Sequence, residues 1–244
     1  MYKIEEEFYK KIEDLFANYQ FLLVDDFKDR MIKAIKTLHF EYLLGSCKEA
    51  KKLLEKYNKE YNLFELIMVI YNKRRRNHQT KSLLLHCFEN TLRSTVAINY
   101  ANHYNKNEDN WFCNIIDINM AKRINRQCKE LDLNNTNTFE IFDCFRMMDL
   151  QEIINENWNL YSIIFAEYKE YKNQELPPYD KNHLYTKIGQ IRKVRNEIFH
   201  NKPTKIRFQK DLEILMLRME FNLKDAINIG NIADGISLQY KYTP

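Results

Sequence analysis

The sequence predicts an all-α protein. Glycine and proline number only four each in 244 residues, against average usage of roughly 7% and 5%. Apolar residues recur at helical spacing along nearly the whole chain, and the stretches between the periodic runs are short and polar. Turn and strand punctuation is therefore scarce where helical patterning is abundant.

The elements follow in order. Ile4, Phe8, Ile12, Leu15 and Phe16 mark a first amphipathic helix. A second is expected over Asp25 to Thr37, a third over Phe40 to Tyr57 and a fourth over Leu63 to Arg76. A long fifth helix is expected over Thr80 to Tyr104, with Thr80 as its N-cap. NKNEDN at 105–110 reads as a loop. Helices follow at Met120 to Leu131 and Thr138 to Met148, separated by NNTN, and helical patterning continues from Asp149 to Lys172. Pro177-Pro178 forces a break. The next helix runs from Leu184 to His200 and stops before Pro203, and the last from Arg207 to about Ile229. The tail with Gly230 and Gly235 reads as less regular. No internal repeat or low-complexity linker separates domains. Residues 1–75 read as an N-terminal helical extension, and 76–244 as the main helical domain.

Composition bounds the function. A 45% hydrophobic fraction over this length supports a packed core. The net charge of +4, from 38 basic and 34 acidic residues, is too small for a chain that coats nucleic acid through its global field. Polyanion binding would need a local patch, and Lys73, Arg74, Arg75 and Arg76, with His78 and Lys81 behind them, form one. That run reads either as a solvated helix end or as a phosphate-binding surface.

The five cysteines, 47, 87, 113, 128 and 144, are scattered and never form CxxC, which argues against a disulfide framework or a zinc site. The most apolar run, Leu63 to Tyr71, is short and broken by Glu65, so no membrane span is expected. The charged N-terminus does not read as a signal peptide, and a cytoplasmic location is the expectation.

The segment with chemical potential is Ile191-Arg192-Lys193-Val194-Arg195-Asn196-Glu197-Ile198-Phe199-His200. On a helical wheel, Leu184, Ile188, Ile191, Val194 and Ile198 form one apolar stripe, and Arg195 falls within it. A guanidinium cannot shed its charge, so Arg195 needs a carboxylate, a phosphate or a wet cleft. Asn196 and His200 are spaced i, i+4 on a neighbouring face. An imidazole at a helix C-terminus is favoured when protonated, and imidazoles titrate near neutrality, as proton transfer requires. On the expected helix over 80–104, Glu89 and Arg93 are also spaced i, i+4, with His86 and Tyr100 in the same sector. Glu89 is a candidate partner for Arg195 or for Arg93.

Arg195-Asn196-Glu197-Ile198-Phe199-His200 resembles the RxxxxH signature of the HEPN superfamily, helical ribonucleases and related nucleotide-binding domains common in abortive-infection and toxin–antitoxin systems. The flanking Ile191-Arg192-Lys193-Val194 and Lys202-Pro203 fit abortive-infection-type members. Asp149-Leu150, Ile153-Ile154, Asn157-Trp158 and Ile163-Ile164-Phe165 are similar to a stretch of some bacterial HEPN proteins. Glu89 and Arg93 match an ExxxR element on an earlier long helix. The resemblance covers about residues 80–220, and the first 75 residues resemble no family.

It implies a HEPN-like helical bundle with additional N-terminal helices, acting as a metal-independent endoribonuclease. Arg195, Asn196, His200, Glu89 and Arg93 would be catalytic. Arg74, Arg75, Arg76, Arg192 and Lys202 would bind RNA. No cofactor or metal is implied, and no HExxH, Walker or GxSxG motif is present. With a single RxxxxH per chain, a composite site implies a homodimer. A small RNA or protein antitoxin is the expected silencer. The alternative is a catalytically idle HEPN-like module that binds RNA or a partner.

Overall fold

In the computed structural model the chain is all-α apart from one two-stranded hairpin. The structure describes residues 3–24, 26–57, 62–105, 108–113, 115, 117–171, 174–200 and 202–221. The chain divides into two units, 1–81 with 197–204, and 82–196 with 205–244. The expected break at 75/76 falls inside one helix.

The first unit holds α1 (Ile4–Leu15), α2 (Phe27–Thr37), α3 (Phe40–Lys56) and the first half of α4 (Leu63–Tyr104). The apolar faces of these helices build one core from Ile12, Phe16, Met31, Leu43, Cys47 and Ile67. Phe27 meets Phe64 edge-on at 6.5 Å, an arrangement favoured by the ring quadrupoles. Asn62 caps α4, its Oδ1 accepting from Glu65 N at 3.1 Å.

A break was expected at 77–79, with Thr80 as N-cap, but α4 runs unbroken for 42 residues. Thr80 Oγ1 instead donates to Arg76 O at 3.1 Å, as a hydroxyl inside a helix does. The polar run at 73–81 is a continuous stretch of helix, with Arg74 and His78 half-buried: its residues lower the hydrophobicity without supplying a glycine or proline to stop it.

The second unit holds the rest of α4, then α5 (Ile118–Gln127), α6 (Thr138–Asp143), α7 (Met147–Glu156), α8 (Trp158–Phe165), β1 (Lys169–Tyr171), β2 (Gln174–Leu176), α9 to residue 196 of its span Lys181–Phe199, and α10 (Gln209–Arg218). Asp117 caps α5 through Asn119 N at 2.8 Å. Asn137 and Glu140 form a capping box on α6.

The helix expected over 138–148 is two helices, because Asp149 restarts the chain: its Oδ2 accepts from Arg146 N at 3.0 Å at the head of α7. The patterning expected to stay helical to Lys172 ends at Phe165 and gives way to the antiparallel hairpin, with Glu170 opposite Glu175. The helix expected to reach Ile229 ends at Arg218. Glu220 takes a left-handed φ of 59°, and Phe221 N closes the end on Met216 O at 3.0 Å. Residues 222–229, Gly230 and Gly235 lie outside the described residues.

The core of the second unit gathers Phe88, Leu92 and Val96 of α4, Phe142, Phe145, Tyr161 and Phe165, and the α9 stripe of Leu184, Ile188, Ile191 and Val194. Each fully buried stripe residue contributes about 1.5–3 kcal/mol of transfer free energy. Gly189 sits mid-helix because a Cβ there would stand 3.1 Å from Gln151 Nε2. Gln151, buried, donates to Tyr185 O at 2.9 Å and accepts from Arg192 Nε at 3.1 Å.

Candidate functional site

The α9 stripe turns Leu184, Ile188, Ile191 and Val194 inward and leaves Arg195 at the margin of the core, its side chain 32% exposed. The buried stretch of α4 that carries Leu85, Phe88 and Leu92 also carries Glu89, whose side chain is 11% exposed. Two apolar helix faces thus bring together two charged groups that the sequence places far apart.

Glu89 serves two arginines. Its Oε2 accepts from Arg195 Nε at 3.0 Å, and its Oε1 from Arg93 Nη2 at 3.4 Å. Arg93 is pinned further by carbonyls: its Nη1 donates to Phe145 O at 2.6 Å and to Phe142 O. Asp143 reaches Arg93 Nε only at 3.9 Å and is 73% exposed, so water screens it. Two guanidiniums thus share one well-buried carboxylate at a partly open margin, with the second acid, Asp143, out in solvent. Asn196, exposed beside this cluster, accepts from Arg195 Nη1 at 3.4 Å.

His200 is the first residue beyond α9 and is exposed, and Asn201 lies outside the described residues. Two residues later Lys202, also exposed, donates its backbone N–H to Glu197 O at 2.7 Å, which closes the helix end. Arg192 is half-buried on Gln151. In the first unit Arg74 is held by Glu49, its Nε at 3.0 Å and its Nη2 at 2.8 Å from Oε2, while Arg75 and Arg76 are exposed. Of the expected site residues, the structure therefore joins Glu89, Arg93, Arg195 and Asn196, and describes the others elsewhere on α4, on α9 and beyond its end.

His86 is exposed and bonded to Asn90 at 3.2 Å. Tyr100 is core, packed on Trp111 at 4.8 Å, and burial raises its phenol well above the ordinary range. Trp111 donates to Thr138 Oγ1 at 2.8 Å.

Two features of the second unit have no counterpart in the sequence reading. The first is a cleft of about 570 Å³ between α5 and α7, walled by Lys122, Arg123, Arg126 and Arg146 and by Asp149 and Glu156. Arg123 grips Glu156 through two bonds of 2.7 Å, and Arg126 meets Asp149 at 2.6 Å. The i, i+3 arginines of α5 facing the i, i+7 acids of α7 were the available signal. The second is Arg218, 1% exposed and with no carboxylate in ion-pair reach among the described residues. It donates to Phe165 O at 3.0 Å, Glu167 O at 2.5 Å and Pro177 O at 2.9 Å, and lies over the Tyr179 ring at 4.5 Å.

Among the described residues no group of three or more histidines, cysteines or acids is placed to hold a metal ion, and no helix is long and apolar enough to cross a membrane. The cysteines are free, and burial pushes the Cys47 and Cys128 thiols up to about 12. Comparison with protein-family models, with curated proteins and with solved structures returned no match.

Proposed function

We propose that the chain is a metal-independent endoribonuclease of the HEPN type. The observation that carries this reading is the Glu89–Arg93–Arg195 cluster, in which one carboxylate fixes Arg195 by its Nε while the three groups together keep a positive charge. A guanidinium held by one edge is oriented before a phosphate arrives, which removes much of the entropic cost of binding it.

RNA supplies its own nucleophile. The 2′-oxygen attacks the adjacent phosphorus and gives up its proton, the P–O5′ bond breaks, and the leaving oxygen takes a proton. In this reading Arg195 stabilises the charge that builds on the phosphoryl oxygens. His200 acts as general acid or base on the 2′-hydroxyl or the 5′-oxygen. Asn196 orients the imidazole or donates to a phosphoryl oxygen, and Arg192 and Lys202 bind flanking phosphates. The products are a 2′,3′-cyclic phosphate and a 5′-hydroxyl. One RxxxxH per chain calls for a homodimer that lines one cleft with two sets. A nuclease of this kind in a defence or toxin–antitoxin role needs a silencing RNA or protein.

The test is cleavage of labelled RNA in EDTA by nucleic-acid-free wild type, His200→Ala and Arg195→Ala. Cleavage by wild type alone, ending in 2′,3′-cyclic phosphates, is expected. Cleavage that persists in His200→Ala, or no cleavage by any of the three, overturns the reading.

A further inference from the structure

The first unit contains a cavity of about 290 Å³ whose lining is His39, Tyr42, Tyr71, Arg75, His78 and Gln79. It is built by two helices. His39 and Tyr42 stand at the head of α3, three positions apart. Tyr71, Arg75 and His78 are spaced i, i+4, i+7 on α4, so one stripe of that helix faces the cavity with aromatic and basic groups where a core stripe would be apolar. No carboxylate belongs to the lining.

The walls are fixed. Tyr42 Oη lies 2.5 Å from His78 Nδ1, and Tyr71 Oη accepts from His39 N at 3.3 Å. The Tyr42 ring packs edge-on between His39, at 5.2 Å, and His78, at 5.3 Å. Burial raises the Tyr42 phenol above its ordinary value against the pull of Arg74, which keeps its proton in place. One wall atom is left over: His39 Nδ1 is buried with no hydrogen-bond partner among the described residues. A buried polar nitrogen without a partner costs about 1–3 kcal/mol.

We propose that this cavity binds a nucleoside monophosphate group, with the phosphate on Arg75 and His78 and the base against the Tyr42 and Tyr71 rings. A guanidinium beside an imidazole, with no acid between them, suits a phosphate dianion. Aromatic walls suit a base, which offers a π-face whatever its identity. The volume falls at the small end of ligand cavities, which fits one nucleotide rather than two. Lys73 and Arg76, exposed on the same turns of α4, raise the local potential for anions. Every residue involved lies in the first unit and none belongs to the Glu89–Arg93–Arg195 cluster; of the cavity lining, Arg75 alone is shared with the RNA-binding residues that the HEPN resemblance implies.

The same group reaches a protein as a free nucleotide or as the 5′-phosphorylated end of an RNA. Titration calorimetry of the full chain with AMP, adenosine, inorganic phosphate and a 2′-O-methylated oligonucleotide, with and without a 5′-phosphate, separates them, because the methylated strand cannot be cut by 2′-hydroxyl attack. AMP is expected to bind at least about tenfold more tightly than phosphate or adenosine alone. Arg75→Gln, at an exposed position, is expected to weaken AMP about tenfold with an unchanged circular dichroism spectrum. A phosphorylated strand that outbinds AMP assigns the cavity to RNA ends, and the reverse order assigns it to free nucleotides; either supports the proposal. No binding of AMP or of the phosphorylated strand at millimolar concentration overturns it. So does phosphate binding as tightly as AMP, or an AMP affinity that Arg75→Gln leaves unchanged.

Discussion

Glu89 and Arg195 are 106 positions apart, yet the carboxylate of one holds Nε of the other at 3.0 Å. The same carboxylate also reaches Arg93, so the charge of Glu89 is shared. Replacing it with the neutral amide in Glu89→Gln takes the buried counter-charge from both guanidiniums and leaves the exposed Asp143 beside Arg93. Because Arg195 still reaches water, the expected loss is about 2–3 kcal/mol rather than the full cost of breaking a dry ion pair. Urea unfolding measures it. On the ribonuclease reading, kcat for RNA cleavage falls about a hundredfold, since the guanidinium is no longer aimed. A change in stability within about 0.5 kcal/mol would show that the cluster is decorative.

His200 makes the opposite prediction. It lies just past the end of α9 and is exposed. His200→Ala is expected to move the unfolding free energy by no more than about 0.5 kcal/mol while abolishing cleavage. A large loss of stability would mark the imidazole as a structural group, and its link to chemistry would fall with that result.

What the sequence made legible here was periodic. The α9 stripe, the ExxxR spacing on α4 and the anomalous position of Arg195 within an apolar face can all be read from a helical wheel, and so can the need of Arg195 for a carboxylate, a phosphate or a wet cleft. Tertiary features were not legible. Residues 166–176 carry no alternation that marks a hairpin, and Arg218 falls inside the helix expected over 207–229 with nothing to mark it as buried. The hairpin and the arginine explain each other only once folded, because Arg218 binds the carbonyls of Phe165, Glu167 and Pro177 that flank the strands. The aromatic and basic stripe at Tyr71, Arg75 and His78 was hidden in another way: the run 73–76 reads equally as a solvated helix end or a phosphate-binding surface, and nothing in the sequence sets His39 and Tyr42 beside it.

Arg218 carries a prediction about stability alone. Desolvation pulls its pKa below the ordinary arginine value, yet it stays protonated, stabilised by three carbonyls and the face of Tyr179. Arg218→Leu removes the donors and leaves those carbonyls unmatched, at an expected cost of about 3 kcal/mol or more. Arg218→Lys, with one small ammonium in place of a planar fork, is expected to recover less than half of it. Thermal unfolding of both variants checks the order. A leucine variant as stable as wild type would show that the clamp is dispensable.

Acid sensitivity is expected at Asp109. Partial burial acts to raise its pKa, but its bonds to Thr138 N at 2.8 Å, to the Thr138 hydroxyl and to Asn105 Nδ2 at 3.1 Å win, and the folded value is lowered. A carboxyl whose folded pKa is depressed contributes stability in full above its unfolded pKa of about 3.9. That contribution disappears as pH falls through the lower folded value, because protonation takes away the acceptor that Thr138 and Asn105 bind. Asp109→Asn therefore lowers stability at pH 7 and flattens its decline between about pH 4 and pH 2. Urea midpoints for wild type and variant across that range are expected to converge at the acid end. Parallel curves would place the acid-labile group elsewhere.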